Sequence, residues 1–190
     1  MKKSEIEAVN EFVALVGGKS WEQTKCRCTG KWRGTTDYGF IIDGRMPIFV
    51  SNGMSYFEQR VREWIAAIKT FRAKKDYYLR LLTEQVEKDN ASAKAEGLQS
   101  VRLIDIGIVS PESNSPFFFF SPFALIEVGG KRFKHLTTNF TCAIMHDELE
   151  KYLYECNNKK IFTAGAVKEP DYILVGARFC STDDLYKIDR

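Results

Sequence analysis

Residues 55–97 read SYFEQRVREWIAAIKTFRAKKDYYLRLLTEQVEKDNASAKAEG. The apolar positions Phe57, Val61, Trp64, Ile68, Phe71, Tyr78, Leu82 and Val86 step by fours and threes once the polar interruption at Lys75 is counted. That spacing lays one heptad-like stripe along an α-helix, and Ile65, Leu79 and Leu81 widen it in places. Ser55-Tyr56-Phe57-Glu58 has the form of a capping box, and Gly97 supplies a stop. The pattern predicts one long amphipathic helix over about 55–95. About 40 residues at 1.5 Å rise make roughly 60 Å of helix. A compact chain of this length is roughly 40 Å across. The helix therefore either protrudes over 55–96 or bends, with the charged stretch from Lys69 to Asp76 the expected place for a bend.

Outward from that helix, Ser4-Glu5-Ile6-Glu7 reads as a second capping box. Ile6, Val9, Phe12, Val13 and Val16 then share one helical face, and Gly17-Gly18 provides the left-handed stop. Trp21 to Thr29 is expected as a strand. Tyr38–Ile42 and Ile48–Val50 flank the hairpin signal Asp43-Gly44. After Gly97, Val101–Val109 and Phe117–Val128 read as strands, and Gly129-Gly130 folds the latter back onto Lys131–Leu136. Thr141–Cys156 is expected as a third helix, with Ile144, Met145, Leu149, Tyr152 and Leu153 inward. Lys160–Val167 and Tyr172–Phe179 are two last strands, and Ser181 begins a terminal turn. Hairpins with helices set between them predict an α+β fold: an antiparallel sheet, one long helix and two shorter ones. No Ser/Gly/Pro-rich linker divides the 190 residues, so a single domain over 1–190 is expected.

Composition excludes several classes. With 44% hydrophobic residues the chain has material for a core, so disorder is not expected over most of its length. A net charge of +3 is too small for a dedicated nucleic-acid coat protein, so only local clustering argues for such binding. No apolar run approaches the roughly 18 residues that span a bilayer, and no secretory signal is evident. Five scattered cysteines do not suggest a disulfide framework, and reduced thiols in a cytoplasmic location are expected.

Three local patterns invite catalytic or metal readings. Gly17-Gly18-Lys19-Ser20 resembles a phosphate loop only superficially, because Val13 stands where the first glycine belongs and the helix precedes it. Cys26 and Cys28 face one side of a strand, but a structural zinc site needs a second ligand pair and only His135 and His146 remain. His146-Asp147-Glu148 offers a base and two acids, yet consecutive helical positions diverge, and a solvated helix start explains them. Asp37, Asp43, Asp105 and Glu127 show no paired spacing. The expectation is no catalytic residue, no metal and no cofactor.

Binding features are stronger. Arg60, Arg62, Lys69, Arg72, Lys74, Lys75 and Arg80 crowd the first half of the long helix, after which Glu84, Glu87 and Asp89 outweigh Lys88. The basic half suits phosphates or an acidic protein surface. Lys31, Trp32 and Arg33 interleave cations with an aromatic, which suits stacking on bases. Phe117, Phe118, Phe119 and Phe120, between Pro116 and Pro122, form an interface if two of the four stay exposed, and self-association into a homodimer is one consequence.

The region from Lys31-Trp32-Arg33-Gly34-Thr35-Thr36-Asp37-Tyr38-Gly39-Phe40 through Arg62-Glu63-Trp64 is where a signature would be sought, and no diagnostic motif stands there. In size, idiosyncratic pattern and lack of catalytic motifs the chain resembles small accessory proteins of phages and mobile elements. Among these are the anti-CRISPR inhibitors. The resemblance implies a Cas nuclease such as Cas9, with its guide RNA, as partner. Anti-CRISPR proteins share no common fold, so it assigns no residues. The first expectation is a non-enzymatic binder of a protein or nucleoprotein machine. Direct nucleic-acid binding through the long helix comes second, and an enzyme with a dispersed site third. A helix that changes from basic to acidic along its length favours a shaped partner over bare duplex.

Overall fold

A computed structural model describes residues 1–27, 36–45, 47–110, 120–156, 161–162 and 172–174. The described elements are α1 (Lys3–Leu15), β1 (Trp21–Arg27), β2 (Thr36–Ile42), β3 (Ile48–Asn52), α2 (Phe57–Ala95) and β4 (Val101–Val109). They continue with β5 (Phe120–Val128), β6 (Lys131–His135), α3 (Thr138–Met145), α4 (Leu149–Glu155) and β7 (Tyr172–Leu174). The fold is α+β, with every described strand pair antiparallel. Two sheets form where one was expected, with strand orders β1-β2-β3 and β4-β5-β6-β7. The 39 residues of α2 separate the two hairpin groups in sequence, so each group closes on its own neighbours.

The long helix runs unbroken through Lys69–Asp76. Its stripe is buried from Phe57 to Ala93, with Val61, Ile68 and Leu82 at 0% exposure and Tyr78 at 1%. Neither capping box forms as read. The backbone N–H of Lys2 donates to Glu5 at 2.6 Å, two positions earlier than expected, and Ser4 instead donates its hydroxyl to Glu58 at 2.6 Å. A 3₁₀ turn over Met54–Tyr56 leads into α2, so Ser55 lies outside the helix start and Glu58 is taken by Ser4 and Arg62. On α1 the inward face is Glu5, Ala8, Val9, Phe12 and Val13, which leaves Ile6 exposed.

The predicted third helix is two. α3 ends at Met145 and Asp147 takes a left-handed conformation, φ 59°. The amide of Asp147 donates to Ile144 O and that of Glu148 to Ala143 O. These are the paired bonds that close a helix through a left-handed residue, here an aspartate in the place glycine usually fills. Gly17 and Gly97 close α1 and α2 with the same bond pattern. Both hairpins form, with positive φ at two successive positions in Asp43-Gly44 and in Gly129-Gly130; the latter is a two-residue turn from Val128 to Lys131, while Asp43-Gly44 opens the longer link from β2 to β3. Of the expected late strands, Tyr172–Leu174 is paired to β6, whereas Ile161 and Phe162 form a bend where a strand was expected; Lys160, 163–171 and 175–190, including the Ser181 turn, lie outside the described residues.

Phe12 ties the layers together. Its ring meets Phe40 of the first sheet at 5.6 Å, Trp64 of α2 at 5.6 Å and Phe120 of the second sheet at 5.2 Å, the last edge-to-face at 85°. One cluster of buried side chains accordingly includes residues of both sheets, α1 and α2.

β2 and β3 approach too closely for a side chain at Gly39. A Cβ there would sit 2.2 Å from the carbonyl oxygen of Ile48, at the register shift between Tyr38 and Gly39. Gly39→Ala is expected to destabilise the fold by about 1–3 kcal/mol, read as a lowered midpoint in urea with an unchanged slope.

Candidate functional site: the charged side of the long helix

The basic residues singled out on α2 do not form a free cationic face. Lys69 Nζ donates to Glu11 at 2.7 Å, and Arg72 Nη2 donates to the backbone oxygen of Leu15 at 2.5 Å. Both therefore hold α1, and Arg72 places a cation at the carbonyl end of that helix, where it offsets the partial negative charge. Lys74 reaches Asp147 at 2.5 Å, between α3 and α4, and Lys75 reaches Asp105 of β4 at 2.9 Å. Arg60 pairs with Glu63 and Arg62 with Glu58 along α2 itself. The guanidinium of Arg80 lies 5.5 Å from the ring centre of Tyr77. Lys69 and Arg72 thus grip α1, Lys74 the junction between α3 and α4, and Lys75 β4, so the cluster links α2 to three parts of the fold.

The carboxylates respond. Lys69 hydrogen-bonded to Glu11 holds that carboxyl below its ordinary value, and Ser4, then Arg62, do the same for Glu58. Asp147 is held down by its bonds from Lys74 and then Tyr78, whose hydroxyl donates to the other carboxylate oxygen. Burial, followed by that bond to Asp147, pushes the Tyr78 phenol well above its usual range. In the body of the second sheet, burial between the rings of Phe140 and Phe162 lowers His135 to about 4.

The remaining predicted features fall as follows. Lys31, Trp32, Arg33, Cys28 and Phe117–Phe119 lie outside the described residues. Phe120 belongs to the core, half-buried against Phe12 and against Trp64 at 5.5 Å. The amides after Gly17-Gly18 are already occupied, since Lys19 and Ser20 donate to the Asp43 carboxylate at 3.0 and 2.8 Å. His146, Asp147 and Glu148 lie at the junction between α3 and α4, where Asp147 serves as a latch. Among the described residues no group of three or more His, Cys, Asp or Glu side chains could hold a metal ion. No helix among them is long and apolar enough to cross a membrane.

Sequence reasoning missed the buried acid of α2. Asp89, 4% exposed, accepts from Gln85 at 2.7 Å and from the backbone N–H groups of Ile161 and Phe162 at 2.8 and 2.7 Å. Beside it, the Asn90 side chain both donates to and accepts from Val101, completing the edge of β4 with backbone-like bonds of 2.8 Å. The available signal was position: Asp89 falls on the continuation of the apolar stripe, where an acid needs a buried partner. No family model matches the chain, and neither a curated protein nor a solved structure matches it.

Asp147 gives a pH test. Its folded pKa is depressed, so its contribution is present above the ordinary aspartate value and is lost as pH falls through the lower folded value. Because the pair is partly exposed, Asp147→Asn is expected to cost about 1 kcal/mol at pH 7. Thermal melts of both proteins against pH should begin to converge as pH falls below the ordinary aspartate value of about 4 and meet below the lower folded value.

Proposed function

We propose that this chain acts by binding rather than by catalysis, as an accessory factor that docks on a protein or nucleoprotein machine and holds it inactive. The anti-CRISPR inhibitors that the sequence resembles act in this manner, which makes a Cas nuclease with its guide RNA the partner class of first choice. The observation that carries the reading is the internal commitment of the α2 cations. Lys69, Arg72, Lys74 and Lys75 are bonded to Glu11, Leu15, Asp147 and Asp105. A polyanion would have to compete with each of those bonds, and it would meet Glu84 and Glu87 further along the same helix. A protein surface of mixed charge makes no such demand, and charge complementarity then selects the partner.

Direct nucleic-acid binding is the second reading, favoured by the exposed Arg80 stacked beside Tyr77, a cation–aromatic pair suited to a base and a phosphate. A pull-down with the tagged full chain from native host lysate, run with and without nuclease digestion, separates the two. One protein partner retained after digestion is expected. Recovery of nucleic acid alone would sink the proposal.

A further inference from the structure

The outer side of α2 beyond Arg80 meets α4 in a groove of about 260 Å³. Leu81 and Leu153 supply its apolar lining, Tyr154 stands at one wall with 80% of its surface exposed, and Glu84, Glu150 and Lys88 are charged groups along it. Small-molecule pockets run from roughly 300 to 1,000 Å³ and enclose most of their ligand. This groove is smaller and bounded by an exposed tyrosine, a shape suited to one or two side chains of a docked segment. An exposed tyrosine of this kind provides a rigid contact surface at low entropic cost and is enriched where proteins meet.

Its charge selects the occupant. Glu84 and Glu150 make no hydrogen bond or ion pair among the described residues, in contrast to the cations of the preceding half of α2. Glu87 and Glu155 are exposed nearby, and Lys151 is engaged by Glu148 at 3.6 Å. Two unpaired carboxylates flank an apolar floor, with Lys88 as the counterweight. The complementary surface is an aliphatic or aromatic side chain next to lysine or arginine, the arrangement a basic amphipathic helix presents.

We infer that the α2–α4 groove is a docking site for a basic amphipathic segment of a protein partner, anchored by an apolar side chain between Leu81, Leu153 and Tyr154. Its cations would meet Glu84 and Glu150. The inference rests on the binding-protein reading and names the chemistry of the partner.

The test uses the full chain and a synthetic helical peptide of leucine and lysine, with a leucine–glutamate peptide of the same register as control. Amide chemical shifts of the isotope-labelled protein report the site. The basic peptide is expected to give saturable shifts centred on Leu81, Glu84, Leu153 and Tyr154. Its Kd should rise at least tenfold in the Glu84→Arg, Glu150→Arg double variant and in Tyr154→Ala. All these side chains except the two leucines are exposed, and unchanged circular dichroism checks that each variant folds; Glu84→Gln with Glu150→Gln is the milder second pair and should weaken binding in the same direction. Equal binding of the acidic peptide, unchanged affinity in the variants, or shifts centred elsewhere would overturn the groove. So would concentration-dependent shifts at these residues without peptide, which would assign the groove to a second copy. Those failures leave the pull-down result standing, whereas a pull-down that yields only nucleic acid removes the binding-protein reading itself.

Discussion

The apolar stripe of α2 is the constraint on which the rest of the structure depends. The helix of 39 residues is packed on by α1, by β3 of the first sheet and by β4 of the second. Phe57 meets Phe40 of the first sheet with ring centres 6.3 Å apart. Each fully buried aliphatic or aromatic side chain contributes roughly 1.5–3 kcal/mol relative to exposure. The stripe therefore outweighs any single ion pair on the surface, and the ion pairs act on a frame that burial has already set. Phe12, on α1, is the point where both sheets and α2 touch one ring, which makes it the position at which a loss would be felt in every layer.

Two polar residues break the stripe, and the fold answers each with an opposing group. Lys75 falls where a heptad residue would be apolar and finds Asp105 on β4. Asp89 falls three residues past Val86 and receives two backbone amides and the Gln85 side chain. Lys75 is only half-buried, whereas Asp89 is 4% exposed, and a charge so buried without such partners would cost several kcal/mol. These interruptions therefore add register: they specify which part of the chain can lie against which turn of the helix. The same economy appears at Asp147, where a left-handed helix end and a bridge to Lys74 and Tyr78 share one residue.

Much of this was legible in the sequence for physical reasons. A period near 3.5 over thirty-odd residues has one interpretation, and the glycine pairs that need positive φ mark turns without tertiary help. The strand limits at Val101 and Val109 follow from alternation alone. What was not legible depends on long-range partners. Nothing local says that Ser4 prefers Glu58, 54 residues away, to its own helix end, or that Asp147 can take a conformation usually left to glycine. Charge was the most misleading signal. Arg72, Lys74 and Lys75 count as a basic patch in sequence, but each side chain finds an oxygen of another element. The groove left between α2 and α4 required the fold, because Leu81 and Tyr154 are far apart in the chain.

The central claim is that Lys69, Arg72, Lys74 and Lys75 are committed to partners within the fold and leave recognition to other surfaces. Fluorescence anisotropy of a labelled duplex of about 20 base pairs, titrated with the protein between roughly 50 and 200 mM salt, tests it most directly. The account predicts weak binding at the lower salt that does not saturate, with Arg72→Glu and Lys75→Glu changing duplex affinity little. Tight binding at low salt that falls by about a thousandfold across that range, and that those two substitutions abolish in a protein that still folds, would contradict it.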